Sequence, residues 1–250
     1  MRHEALQARA AGRLVHPGAI ARFRAQSGRA APPTRHPMAR RPTPPKELRD
    51  ACIEEALAII ERDGVEALSL REVARRLGVS HQAPYKHYPS RDHLLAEVVR
   101  RAFVAFAEHL DARPRERDPF ADLHAMGRAY LDYALRHPLQ YRLIFGTPLP
   151  DAKAHPEMMT RGRYAFALLE GAIAALDQAR PEAARAADPR LDALHVWSLL
   201  HGLASIAQSS ALQSLSLPKT VMTAMHEHAM ARMEEALRAA LPAPRPPRRA

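Results

Sequence analysis

Apolar residues recur along most of the chain at three- and four-residue steps, the spacing that gathers side chains on one helix face. Leu48, Cys52, Ile53, Ala56, Leu57 and Ile60 form one such stripe, beginning at Lys46 and stopping at Asp63-Gly64. Ser69, with Glu72 three positions on, reads as a capping box opening a second helix whose apolar face is Leu70, Val73, Ala74 and Leu77. Ser90-Arg91-Asp92 starts a longer stripe of Leu94, Leu95, Val98, Val99, Ala102, Phe103 and Phe106. Beyond a polar break at Arg113–Pro119, Leu123, Met126, Gly127, Tyr130, Leu131 and Ala134 predict a helix ending before Pro138. A short segment, Leu139–Phe145, is closed by Gly146-Thr147-Pro148. Further helices are predicted over about 155–177, 190–215 and 218–240, with joints at Pro181, Pro189 and Pro218. No segment alternates with a period of two, so the predicted fold class is all-α.

The stretch LGVSHQAPYKHYPSR, Leu77 to Arg91, interrupts this pattern. Gly78-Val79-Ser80 reads as a turn and N-cap, followed by a helix of about two turns too polar and too short to be stable alone. Support from the two preceding helices through Leu77, Val79, Tyr85 and Tyr88 removes that difficulty and leaves the other faces for a partner. The three elements then make a helix-turn-helix unit. Presented to a major groove, Ser80, His81, Gln82 and Ala83 approach base edges, Gln82 suiting adenine and Ala83 a thymine methyl group. Tyr85, Lys86, His87 and Arg91 suit phosphates. Ser69, at the cap of the second helix, completes the candidate DNA-binding set.

Charge changes the picture mainly at the ends. The net charge of +10 is concentrated in residues 1–49 and the last ten residues, leaving 50–240 slightly acidic. Residues 1–45 are read as a disordered basic arm, with Met38 as an alternative translation start, and 241–250 as a disordered tail. The single cysteine rules out an internal disulfide framework. No apolar run approaches the ~20 residues of a membrane span, so a cytoplasmic protein without membrane contact is expected.

Residues 46–106 resemble the DNA-binding domain of the TetR family of bacterial transcriptional regulators. The likeness is carried, in order, by Gly64, Leu68, Val73, Ala74, Leu77, Gly78, Val79, Ser80, Tyr85, His87, Tyr88, Ser90, Arg91, Asp92, Leu94 and Leu95. Ala83-Pro84 departs from the family pattern. The resemblance implies an N-terminal three-helix DNA-binding domain over 46–106, with its helix-turn-helix motif at about 69–88. A larger helical ligand-binding and dimerisation domain over 107–240 would follow. Trp197, His201 and Gly202 are similar to the C-terminal domain of the branch called the WHG group. Glycine inside a helix suggests close approach by another helix or a ligand.

A ligand site among the central helices is expected from Met126, Tyr130, Tyr133, Tyr141, Phe145, Phe166, Leu169, Trp197 and His201, mostly apolar with a few polar tips. The expected partners are double-stranded operator DNA, a small apolar or amphipathic effector, and a second copy of the chain. Leu199, Leu203, Ile206, Met222, Met225, Met230 and Met233 are candidates for the dimer interface or the core. No cofactor and no enzymatic activity are expected. His226-Glu227-His228 lacks the four-residue histidine spacing of a helical zinc site, and neither a Gly-rich phosphate loop nor a Gly-x-Ser-x-Gly motif occurs. The reading is a regulator, a repressor released by its ligand; the alternative is a dimeric structural DNA-binding protein without an inducer.

Overall fold

The computed structural model describes residues 45–182, 185 and 188–239. The expectations for the arm, for a start at Met38 and for the tail at 241–250 lie outside those residues, save that the first helix already begins at Pro45. Among the described residues the fold is all-α. The helices are α1 (Pro45–Asp63), α2 (Leu70–Leu77), α3 (Arg91–Asp111), α4 (Pro119–Arg136), α5 (Pro138–Phe145), α6 (Thr160–Ala179), α7 (Pro189–Ala207), α8 (Ser210–Ser214) and α9 (Lys219–Arg238). Proline at the first helical position, as in α1, α4, α5 and α7, removes an N–H that would have no partner there. Side-chain caps mark other starts: Ser69 Oγ accepts the Glu72 N–H at 3.2 Å, and Asp118 accepts the Ala121 N–H at 2.8 Å.

Three boundaries differ from the pattern-based expectation. The segment from 155 opens as a 3₁₀ helix, Pro156–Met159, before α6. The helix expected over 190–215 breaks after Ala207, because the Ser209 hydroxyl donates to the Ile206 carbonyl and accepts the Leu212 N–H, redirecting the chain into α8. The domain boundary at 106 falls inside α3, which runs on to Asp111.

The apolar faces of α1, α2 and α3 close a small core in which Ile53, Ile59, Leu68, Val73 and Leu94 are fully buried. Ion pairs clamp its rim: Arg76 bridges Glu55 on α1 at 2.8 Å and Glu72 at 3.0 Å, and Arg101 on α3 holds Asp50 on α1. The second core lies among α3 to α7 and α9. At its edges the buried Arg113 holds Asp122 at 3.0 Å, and the buried Arg180 at the end of α6 holds Asp192 on α7 at 2.5 Å. Met230 and Met233, expected at an interface or in the core, are buried in this core. Helix α3 belongs to both cores.

Candidate nucleic-acid interface and ligand cavity

The turn after α2 is set by Gly78, whose φ of 66° and ψ of 30° lie in the left-handed region, with its N–H bonded to the Ala74 and Arg75 carbonyls. The expected two-turn α-helix does not follow. Residues 81–83 form a turn and Pro84–Lys86 a single 3₁₀ helix. Pro84 is the reason: it has no N–H to return to the Ser80 carbonyl, which instead accepts the Ala83 N–H at 2.9 Å.

This tight segment is anchored by Pro84 and Tyr88, both buried, and the Tyr88 hydroxyl donates to the Arg49 carbonyl on α1 at 3.2 Å. Tyr85, expected to help support the segment, points outward instead at 40% exposure. Next in sequence to the buried Pro84, it lies about 120° around the 3₁₀ turn from that inward side. Ser80, His81, Gln82, Tyr85 and Lys86 are thus exposed, with Ala83 and His87 half-buried between them. One other candidate is committed elsewhere. Arg91 donates to the Leu68 carbonyl at 3.1 Å and the Val65 carbonyl at 2.8 Å, so it staples the loop before α2. Ser69 Oγ accepts its cap bond, and its exposed hydroxyl keeps its own proton to donate.

A partly open cavity of about 560 Å³ is walled by α3, α4, α5, α6 and α7. Six of the nine predicted ligand residues line it: Met126, Tyr130, Phe145, Phe166, Leu169 and Trp197. Tyr133, Tyr141 and His201 do not. Tyr133 lies about 60° around the helix from Tyr130; it packs against Phe106 and its hydroxyl donates to the Ala102 carbonyl at 3.3 Å. Tyr141 and His201 line a separate outer cleft with Ser205 and Gln208.

Sequence reasoning missed Phe103 and Phe106 in the cavity wall, because their stripe reads as ordinary core. It also missed Ile144, Met159, Arg163 and Leu200. Gly162 was a signal left unused. A Cβ there would stand 2.9 Å from the Phe103 ring, so its absence lets α6 close on α3. Gly202, expected to mark close packing, has nothing of its own chain within 4 Å of where its Cβ would be. Arg163 and Glu170, two turns apart on α6, bring one charge of each sign to an otherwise apolar lining.

A chain of polar groups runs from the cavity wall to the outer cleft. The Tyr130 and Tyr141 hydroxyls are 2.9 Å apart, and the Tyr141 hydroxyl lies 2.7 Å from His201 Nδ1. His201 Nε2 faces Ser205 Oγ at 3.5 Å. Burial pushes the Tyr141 phenol up to about 12 and Tyr130 higher still, so both stay protonated at neutral pH. Among the described residues no cluster of three or more His, Cys, Asp or Glu is arranged to hold a metal ion, and no helix is long and apolar enough to cross a membrane.

Residues 53–98 match the family described as bacterial regulatory proteins, tetR family, and residues 123–233 match the tetracyclin repressor-like C-terminal domain. The second match contains Trp197, His201 and Gly202. An HTH-type transcriptional regulator of Mycobacterium tuberculosis is 34% identical over 100 residues, 38% of this chain and 42% of that protein. The match thus spans about two-fifths of that relative's length. The HTH-type transcriptional repressor KstR of Rhodococcus jostii is 35% identical over 77 residues, 30% of this chain and 34% of that protein. The solved structure of a protein of unknown function from Rhodococcus sp. RHA1 superposes with a TM-score of 0.62 at 25% identity, covering 83% of this chain and 98% of that one. Two family matches laid end to end over the two cores, with this likeness of fold across both, place the chain in the TetR family of bacterial regulatory proteins.

Proposed function

We propose that the protein is a homodimeric one-component transcriptional repressor. On this reading it binds double-stranded operator DNA and releases it when an apolar or amphipathic small molecule fills the cavity. The observation that carries the reading is the sharing of α3 by both sites. Its first half follows directly on the segment 80–88 and packs against α1, which with α2 holds that segment, and its second half puts Phe103, Phe106 and Leu110 into the cavity wall. A ligand that displaces those rings acts on the helix that carries the reading head. A second route runs through residues 154–159. Met159 lines the cavity, while His155 meets the His93 ring on α3 at 4.8 Å. Couplings between sites are typically of order 1–3 kcal/mol.

The DNA contacts fall to Ser80, His81, Gln82 and Ala83 for base edges and to Tyr85, Lys86 and His87 for phosphates. Two copies, one helical turn of DNA apart, would address a palindromic site. Exposed Leu191, Leu194 and Ile206 on α7 and Val221 on α9, beside the open space at Gly202, supply the surface for the second copy. The repressor assignment takes support from the relative KstR, a transcriptional repressor. The apolar cavity favours this reading over a structural DNA-binding protein, which has no use for one.

Fluorescence anisotropy on duplex DNA flanking the protein's own gene, against scrambled DNA at two salt concentrations, tests it. Sequence-selective binding that persists at moderate salt is the expected result. Equal and steeply salt-dependent binding to both duplexes would overturn it.

A further inference from the structure

Two of the residues lining the cavity carry a formal charge, Arg163 and Glu170, both on α6. Seven positions separate them, about 10 Å along the helix axis at 1.5 Å per residue. Their charges are opposite, so the surroundings of each decide which sign the cavity favours. Arg163 is exposed and turned back on its own chain, with Nη2 donating to the Pro156 carbonyl at 3.5 Å and to Thr160 Oγ1 at 3.4 Å. Water screens a charge so placed. Glu170 is half-buried in the apolar wall, and among the described residues its carboxylate has neither a hydrogen bond nor an ion pair. Arg190 on α7 feels that charge but is itself held by Asp188 at 2.7 Å. A carboxylate partly withdrawn from water without a partner is costly, and a cation on the ligand supplies the partner.

The wall favours the same sign. Six aromatic rings line it, those of Phe103, Phe106, Tyr130, Phe145, Phe166 and Trp197. The face of an aromatic ring is electron-rich and attracts a cation, more strongly where water is excluded. Phe166 stands one turn before Glu170 on α6 and packs against Trp197 with centroids 5.9 Å apart. The carboxylate and these two rings therefore border the same part of the cavity.

We propose that the cavity selects lipophilic organic cations over anions of the same shape, with Glu170 as their counter-ion and the aromatic rings as their surround. The proposal rests on the cavity being the effector site and names the chemical class that the site takes.

The chain has one tryptophan, Trp197, so its intrinsic fluorescence reports cavity occupancy without a label. The test titrates the full chain at neutral pH, in potassium-free buffer, with tetraphenylphosphonium and with tetraphenylborate. These ions share size and shape and differ in the sign of their charge. The cation is expected to bind about tenfold more tightly, the combined effect of the carboxylate and of ring faces that are partly dry. Glu170→Gln, close in shape but neutral, should reduce that ratio about fivefold and leave only the contribution of the rings. Glu170→Asp, which keeps the charge, retains a clear preference for the cation. Arg163→Gln removes a screened charge and should move either dissociation constant by less than about twofold.

Equal affinities, or tighter binding of the borate, in the unsubstituted chain would overturn the selectivity while leaving the effector cavity standing. A ratio unchanged in Glu170→Gln would overturn the assignment of Glu170 as the counter-ion. No fluorescence change with either ion would instead remove the cavity reading, and this proposal with it.

Discussion

The segment 80–88, held on α1 and α2, and the cavity, walled in part by α3, handle polar groups in opposite ways. In the first, Pro84 and Tyr88 are the anchors, and His81, Gln82, Tyr85 and Lys86 face solvent without a side-chain hydrogen bond to any described residue. Around the second, buried hydroxyls are paired in the Tyr130–Tyr141–His201 chain, and beyond its wall the buried Arg180 is paired with Asp192. A surface that must exchange water for a large charged partner can leave its donors unpaired, because water satisfies them in the meantime. Groups buried in an apolar wall cannot, because each unpaired polar atom there carries its full desolvation penalty. Substitutions should therefore leave stability alone in the first region and damage it in the second.

The largest effect is expected at Asp192. Asp192→Ala leaves Arg180, 5% exposed, without its closest carboxylate and should lower unfolding stability by about 3 kcal/mol in a urea titration. A loss near zero would mean that the inner polar groups are no more bound to the fold than the outer ones. On the outer side, Gln82→Ala should cost about 1–3 kcal/mol of discrimination between operator and scrambled duplex by anisotropy. Lys86→Ala should weaken both duplexes alike and reduce the salt slope by about one. Neither should move the melting temperature beyond error, and a marked drop would place these side chains in the packing.

Gly78→Ala sharpens the comparison from the backbone side. It forces a Cβ into the left-handed region at φ 66° and should cost about 1 kcal/mol of stability, with any loss of DNA affinity following from displacement of 80–86.

The smallest effect concerns Cys52, on the buried face of α1, whose thiol burial pushes up to about 11. The folded state favours the neutral thiol, so this contribution is fully present below the ordinary thiol range near 9. It is lost as pH rises from about 9 through about 11. Cys52→Ala should flatten the stability profile in that window, and the native thiol should resist a thiol reagent at pH 8 until the chain unfolds.

What the sequence determined by itself was local or periodic. The stripes of α1, α2 and α3, the cap at Ser69, the glycine turn at Gly78 and the position of the polar segment 80–88 each depend on residues a few places apart, where spacing alone decides which face a side chain takes. Even within that range Pro84 was ambiguous. Its missing N–H turned a predicted α-helix into a 3₁₀ helix, and that rotation sent Tyr85 outward.

Only the tertiary structure decided the rest. A stripe records that a residue is buried, not whether it meets another side chain or an empty space. Phe103 and Tyr133 are both buried aromatics, yet Phe103 borders the cavity while Tyr133 packs between helices. Arg91 carries the same charge on any surface, and only the approach of the Val65 and Leu68 carbonyls from 26 and 23 positions away makes it a staple. The partnership of Tyr141 with His201 spans 60 positions and joins two helices. Contacts at such separations follow from how the helices pack against one another, and helical periodicity holds no information about that.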